Sequence, residues 1–507
     1  MLHATKSLSR IGVVLLLLLS GTAYPQSQAP SSTEVEALRE QLEHLRQEMS
    51  EVQARLDQLS PPPSTAGAPS PATGNQSAQQ TTGGQTAEQQ ASKEQSKEQI
   101  AGELNQNAKH PISDQVAQYQ TFSQDSLAAP RVDNAPLDPR YPGYFRLPGT
   151  LTLLKIGGYF KTDFIRDFRP AGDTDRFIPA SIPIPPSGNG TNSTVSIRPT
   201  RLNLDFLIPT ESADNVRFYV EADLFGTNAT TPRLRHAYAQ AKNFLIGQTF
   251  SNFQDPDASP DQLDFQGPNA QINLRNPQFR YTIPISKKTS FRLALEKASS
   301  DIAFTTPQFT AQPSNQAPDG TATLRHEMDR GHVQFSGLFR SVGAFLPNGL
   351  RDYTFAWGLN LTGSMRVIGK DTLVYQGVYG RGIERYIQDT SGLGIDAGVE
   401  NTAAPHLKAV PVVAPYGGYQ HFWTGKLRSS VIYGFVQVDN TDLQPGSTFH
   451  QSNYFAGNLI YNPFGSLIVG TEFLYGWLVE KNGAKGNAPR LMVSAKYNFV
   501  KSEAQKK

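Results

Sequence analysis

From residue 141 onward the chain alternates apolar and polar side chains in segments about ten residues long. The clearest segment is the last. Leu491, Val493, Ala495, Tyr497 and Phe499 interleave with Met492, Ser494, Lys496 and Asn498. A strand has period two, so the two sets face opposite sides of a sheet. The segment before it sets Val469, Thr471, Phe473, Tyr475 and Trp477 against Gly470, Glu472, Leu474 and Gly476. Tyr353, Phe355, Trp357, Leu359 and Leu361 form another apolar face. So do Leu202, Leu204, Phe206 and Ile208 opposite Arg201, Asn203 and Asp205. Val216, Phe218, Val220, Ala222 and Leu224 lie opposite Arg217, Tyr219, Glu221 and Asp223, and Phe291, Leu293 and Leu295 opposite Arg292 and Glu296. About sixteen segments start near residues 151, 195, 215, 232, 243, 275, 289, 321, 332, 352, 371, 411, 426, 452, 466 and 490.

Alternation alone fits a soluble sandwich as well as a membrane barrel. Three features favour the barrel. The segments approach the 9–11 residues that a tilted spanning strand needs. Aromatic residues recur at segment ends, where a strand meets the membrane interface. A secretion signal precedes them. The expectation is an all-β transmembrane barrel of about 16 antiparallel strands over residues 141–500, wide enough for water inside. Asn462–Gly465 and Arg330–Gly331 read as tight periplasmic turns, and residues 170–193, 396–407 and 440–448 as longer outward loops. Ser251–Ala270 is long, polar and rich in Asp and Pro. A loop of that kind is usually functional, and it is expected to fold inward and narrow the pore.

The N-terminal portion has other periods. Lys6 and Arg10, the apolar run Ile11–Leu19 and the small residues Ser20–Ala23 read as a signal peptide over residues 1–23. The apolar run is too short to span a bilayer. Val35, Leu38, Leu42, Leu45, Met49, Val52, Leu56 and Leu59 then follow the unbroken 3, 4 spacing of a coiled-coil seam, giving a helix over 33–60. Thr33 and Glu36 suit its start, and Pro61–Pro63 stop it. A single amphipathic helix is the alternative, and the seam does not choose between dimer and trimer. Residues 61–140 are a low-complexity linker, poor in aromatics after the helix ends. Residues 501–507 form a polar tail.

Composition narrows the function classes. The 507 residues include no cysteine, which excludes a disulfide scaffold and thiol chemistry. A net charge of +2 gives no general sign of nucleic-acid binding. No nucleophile elbow or phosphate-binding loop is found, and His326–Glu327 lacks the second His of a zinc-protease motif. No cofactor and no metal are expected. Asp255, Asp257, Asp261 and Asp264 lack the spacing of a calcium loop and read first as a solvated loop. His236 reads as a ring facing lipid or the interface.

Gly143–Thr150 with Lys155–Tyr159 resembles the start of the DcaP-like porins. Arg233–Tyr238, Ile246–Phe253, Phe265–Pro268, Gln278–Tyr281 and Ala294–Glu296 are similar to further blocks of that family. The resemblance covers residues 141–300 well and the remainder by architecture. It implies a sixteen-stranded homotrimer with a periplasmic coiled coil, related to phosphate-selective porins and passing small anions, dicarboxylates among them. The chain departs from barrels that end on an aromatic residue, because Val500 and a polar tail follow Phe499.

The inward faces of the early segments carry basic residues. Lys161, Arg198, Arg201, Arg217, Arg233, Arg235, Arg275, Arg280 and Arg292 are the candidate selectivity groups. Arg235 and Arg280 lead, because they flank the inward loop within matching blocks. A guanidinium can bond two carboxylate or phosphate oxygens at once. The bland alternative pairs these residues with Asp163, Asp205, Glu221, Asp223 and Glu296 as wall-knitting bridges. The expected function is passive diffusion of small anions through the bacterial outer membrane. A barrel anchor and a barrel enzyme are the rivals.

Overall fold

The computed structural model describes residues 143–186, 190–210, 215–227, 231–303, 305–306, 309–310, 312–346, 349–400 and 405–499. The expected signal peptide, coiled coil, linker and polar tail lie outside the described residues.

Sixteen antiparallel strands make the wall among these residues. They are β1 (Leu153–Asp167), β2 (Asn192–Ser196 continued by Arg201–Ile208), β3 (Val216–Asp223), β4 (Arg233–Ala241), β5 (Phe244–Phe250) and β6 (Arg275–Pro284). Then come β7 (Thr289–Glu296), β8 (Asp319–Met328), β9 (Gly331–Phe345), β10 (Arg351–Arg366) and β11 (Thr372–Arg381). The wall is completed by β12 (Pro411–Phe422), β13 (Leu427–Val438), β14 (Phe449–Phe464), β15 (Leu467–Glu480) and β16 (Lys485–Asn498). β16 pairs back onto β1 from Tyr159↔Asn498 to Asp167↔Arg490, so the sheet closes. Closure leaves no unpaired strand edge, which is what lets a sheet sit in hydrocarbon.

The period-two pattern sorts the side chains as the sequence suggests. Phe164, Phe218, Phe355, Phe473, Val493 and Tyr497 are exposed on the outer surface, whereas Glu472, Arg490, Ser494 and Lys496 are buried inside. Short connections gather at one end, among them Lys242–Asn243, Asp329–Arg330 and Gly465–Ser466. The expected turn at Asn462–Gly465 moves, because β14 runs on to Phe464 through a register irregularity after Tyr461.

The long connections depart from expectation. The described residues of the connections after β1 and after β11 do not simply point outward. Phe177 from the first, and Tyr386 and Ile387 from the second, are buried within the barrel with Phe253 and Ile272 of the connection 251–274. Each of the three inward loops carries one 3-10 turn, at Pro179–Ser181, Pro256–Ala258 and Glu384–Tyr386. They pack on the apolar inward residues of the late strands, Ile432, Val436, Tyr454, Ala456, Leu474 and Ala488. Glycine makes the close approach possible. A Cβ on Gly434 would lie 2.3 Å from Asn269 Oδ1, and one on Gly476 would lie 3.0 Å from the Phe177 ring. Burying each such aromatic ring contributes about 1.5–3 kcal/mol, so the loops form a dry core inside the barrel rather than a solvated fringe.

Candidate lumen and constriction

The connection 251–274 is held inside by the polar inward residues of successive strands. Its backbone must find partners in a buried setting. Glu296 on β7 accepts from the Asn252 amide at 2.8 Å and from Ser251 Oγ at 2.9 Å. Thr323 on β8 donates to the Asn252 carbonyl, Gln334 on β9 to that of Gln254, and Asn360 on β10 to that of Phe253. Gln376 on β11 donates to the Ala270 carbonyl, and Asn458 on β14 to that of Asp261. Glu472 on β15 accepts from the amides of Leu263 and Asp264 at 2.9 and 2.6 Å. The loop thus follows the wall from β7 to β15.

Its carboxylates do not behave as a solvated cluster, and that expectation is corrected. Asp255, Asp261 and Asp264 are buried, each against different partners. Asp255 meets Arg325 at 3.0 Å, His332 Nε2 at 2.8 Å and Thr362 Oγ1 at 2.7 Å. Burial, the largest single effect, raises its carboxyl, but the His332 and Arg325 charges and the hydrogen bonds from His332 and Thr362 together hold it well below the usual range. Asp257 pairs with the same Arg325 at 2.8 Å. Asp261 pairs with Arg428 at 2.5 Å and accepts from Gln420. Asp264 accepts from the amides of Phe177 and Gly267, and burial pushes it up to about 6 despite those bonds. No grouping of three or more His, Asp or Glu side chains suited to a metal is found among the described residues.

The basic residues of the early strands fall into two sets. Lys161, Arg201, Arg217 and Arg235 are buried beside carboxylates. Arg217 binds Asp205 with two parallel bonds at 2.8 and 2.7 Å. Arg235 joins Glu221 at 2.9 Å and Asp223 at 2.8 Å, and Arg201 lies 3.8 Å from Glu221. Lys161 donates to Asp163 and to the Leu263 carbonyl, both at 2.7 Å. For these four the wall-knitting arrangement is the geometry present.

The second set is partly exposed. Arg233 pairs with Asp223 at 2.7 Å and Arg198 with Asp175 at 2.9 Å, with their side chains 33% and 25% exposed. Both stack on Phe225, with their guanidinium carbons 5.2 and 4.8 Å from its ring centre. Phe225 in turn stacks on Phe265 of the inward loop at 4.3 Å. Deeper in, Arg275 lies over the Phe250 ring, Arg280 donates to Gln278 and to the Phe250 carbonyl, and Arg292 donates to Gln334. These three are half-buried. Arg280 has no carboxylate within ion-pair distance among the described residues.

His236 corrects another expectation. It is buried inside, 3.0 Å from Thr249 Oγ1 and edge-on to Phe250. The cause is a register shift on β3 and β4, where Glu221 pairs with His236 and Ala222 with Leu234. The extra residue, Arg235, breaks the strict alternation, so two consecutive side chains are buried. The sequence reading also missed the late-strand anchors Arg325, His332, Arg428 and Glu472. Their parity marks them as inward. Nothing local signals that a loop docks on them.

A closed sixteen-stranded barrel with an apolar outer face, a polar interior and an inward loop defines a porin of the outer membrane. The model of the DcaP outer membrane protein family matches residues 148–499. The chain belongs to that family. The crystal structure of the outer membrane channel DcaP of Acinetobacter baumannii superposes with a TM-score of 0.62 at 23% identity, covering 70% of this chain and 99% of that one. More distant barrels include an anion-selective porin from Comamonas acidovorans (TM-score 0.45, 10% identity, 69% and 100% covered). The trimer form of Vibrio cholerae OmpT is similarly remote (TM-score 0.43, 10% identity, 69% and 99% covered). Those two scores are too low to carry detail. No curated protein matches the chain at a significant level.

Proposed function

We propose that the barrel is an anion-selective diffusion channel whose passage runs between the inward loop and strands β1–β7. The carrying observation is the division of the lumen. The late strands hold three packed loops, while Arg275, Arg280 and Arg292 on the early strands keep partial exposure. Fixed cations at a constriction raise the local anion concentration and repel cations. Arg198 and Arg233, beside Phe225, would form an outer station ahead of that row. The buried pairs of Lys161, Arg201, Arg217 and Arg235 would hold the early wall rigid, and the Asp255, Asp257, Asp261 and Asp264 contacts would fix the opposing loop.

On this reading the short connections face the periplasm, as is usual for such barrels. The segment before Gly143 also lies on the periplasmic side, where the heptad at 33–60 would join three copies. The ligands are small carboxylates or similar anions, and the lipid bilayer is the remaining partner. Barrel-enzyme and pure-anchor readings find no separate support in the geometry. Purified full-length protein in a planar bilayer under a salt gradient should conduct, with a reversal potential on the anion side. A silent membrane would sink the pore, and a cation-side reversal would sink the arginine assignment.

A further inference from the structure

The tight-turn end of the barrel carries a pattern that diffusion through the lumen does not use. Starting at β4, its connections bring Lys242, Lys287, Lys288, Arg330, Lys370 and Lys426 against Asp329 and Asp371. Asp371 is already engaged, accepting from Tyr419, His421 and the Phe422 amide. Asp329 is paired with Lys288 at 2.6 Å.

Large apolar side chains stand exposed in the same turns. Ile285 precedes Lys287 and Lys288, Ile368 precedes Lys370, and Trp423 precedes Lys426. Their exposures are 61%, 73% and 60%. Phe464, at the next turn, is 58% exposed. Trp423 is tied in place, donating from Nε1 to Ser429 Oγ at 3.0 Å with its ring edge-on to His421. An apolar or aromatic group beside a lysine, repeated along an arc, suits a membrane–water interface. The ring or chain enters the acyl boundary while the ammonium reaches the headgroup layer. A peptide or glycan partner in water would not need the apolar half of each pair.

We propose that this arc, from the β6–β7 turn to the β14–β15 turn, is a binding surface for anionic phospholipid headgroups. The leaflet is the periplasmic one, on the orientation given above. Each lysine near a lipid surface adds attraction that falls off within a Debye length. The turns would therefore enrich phosphatidylglycerol-type lipid over zwitterionic lipid around this part of the wall.

The test uses the full chain carrying Trp357→Phe and Trp477→Phe, which leaves Trp423 as its only tryptophan. It is reconstituted in phosphatidylcholine vesicles containing equal mole fractions of brominated phosphatidylglycerol or brominated phosphatidylcholine. Quenching of Trp423 should be at least about twofold greater with the anionic lipid. The excess should vanish when Lys287, Lys288, Lys370 and Lys426 are replaced by Gln, and should fall in 0.5 M salt without any substitution. The salt arm keeps the test decisive should the fourfold variant fail to assemble. Equal quenching by the two lipids overturns the proposal, whether or not the protein also sediments with cell-wall fragments. An excess that survives both salt and substitution overturns it as well.

Discussion

Replacing Arg280 tests whether the proposed selectivity group can be told apart from a wall tie. Arg280→Gln keeps hydrogen-bonding capacity beside Gln278 and removes one positive charge from a half-buried position. An anion passing about 6 Å from that charge interacts with it by about 0.7 kcal/mol at the dielectric of water and about 3 kcal/mol at an effective value of 20. Partial exposure places the site toward the weaker limit, so the anion-to-cation permeability ratio should fall about three- to tenfold. The heat-resistant folded form should persist, because no carboxylate is left without a partner. Arg235→Gln should do the reverse. It strips one cation from buried Glu221 and Asp223, and breaking such a pair costs about 3–5 kcal/mol. Bi-ionic reversal potentials in planar bilayers, with heat-modifiable gel mobility alongside, read both quantities. An unchanged reversal potential in Arg280→Gln refutes the path between the inward loop and β1–β7. A strong selectivity change in a fully stable Arg235→Gln refutes the division into ties and selectivity groups.

Gly434→Leu puts a side chain where Asn269 now sits, so the inward loop should be pushed off β13 toward β1–β7 and single-channel conductance should fall; an unaltered conductance in a folded variant counts against the loop as the constriction. Asp264 and Asp389 are loop carboxylates raised by burial from an ordinary value of 3.8 to about 6 and about 7. Raised acid values mean that the packed state favours the protonated form. What these two groups contribute to loop packing is therefore fully present below the ordinary carboxylate range and is lost as pH climbs through 6 to 7. Hydrogen exchange of residues 264–272 and 384–390 should be slower at pH 5 than at pH 8 after correction for intrinsic rates, and a flat or inverted dependence contradicts the assignment. Deleting residues 33–60 should leave the barrel folded and lower the oligomer's resistance to dissociation on native gels; loss of the barrel would show that the heptad is not a separate unit.

The wall was legible because its rule is local. Hydrocarbon outside and a filled interior impose the same period two on every strand, so Leu491–Phe499 alone reveals the inside and outside of β16. The expected segment starts fall within five residues of the observed strands throughout. The interior was less legible because inward positions carry no mark of what they meet. Asn360, Gln376 and Asn458 look like water-facing amides in the sequence, yet each donates to a loop carbonyl. Asp255 and its neighbours look solvated because their partners Arg325, His332, Thr362 and Arg428 are 68 or more positions away. His236 was misplaced by one inserted residue, since a bulge shifts parity without changing composition.

The two halves of the lumen follow from what the inward parity holds. On β1–β7 it holds long charged side chains, Lys161, Arg201, Arg217, Glu221 and Asp223, which fill space through ion pairs, with Arg280 beside them. On β12–β16 it holds Ala414, Ile432, Gly434, Ala456, Leu474, Gly476 and Ala488, which leave room and offer apolar surface beside the charged Arg428, Glu472, Arg490 and Lys496. Phe253 and Ile272 of the inward loop join the apolar cluster that includes this second wall, and Leu263 packs on Ile460, Ile468 and Met492 together with Ile165 of β1. The loop's acids pair with basic groups on β8, β9 and β13, namely Arg325, His332 and Arg428. On the proposed path, the arginines of β6 and β7 would face this loop, and side-chain size and polarity within one uniform strand pattern would set the asymmetry of the passage.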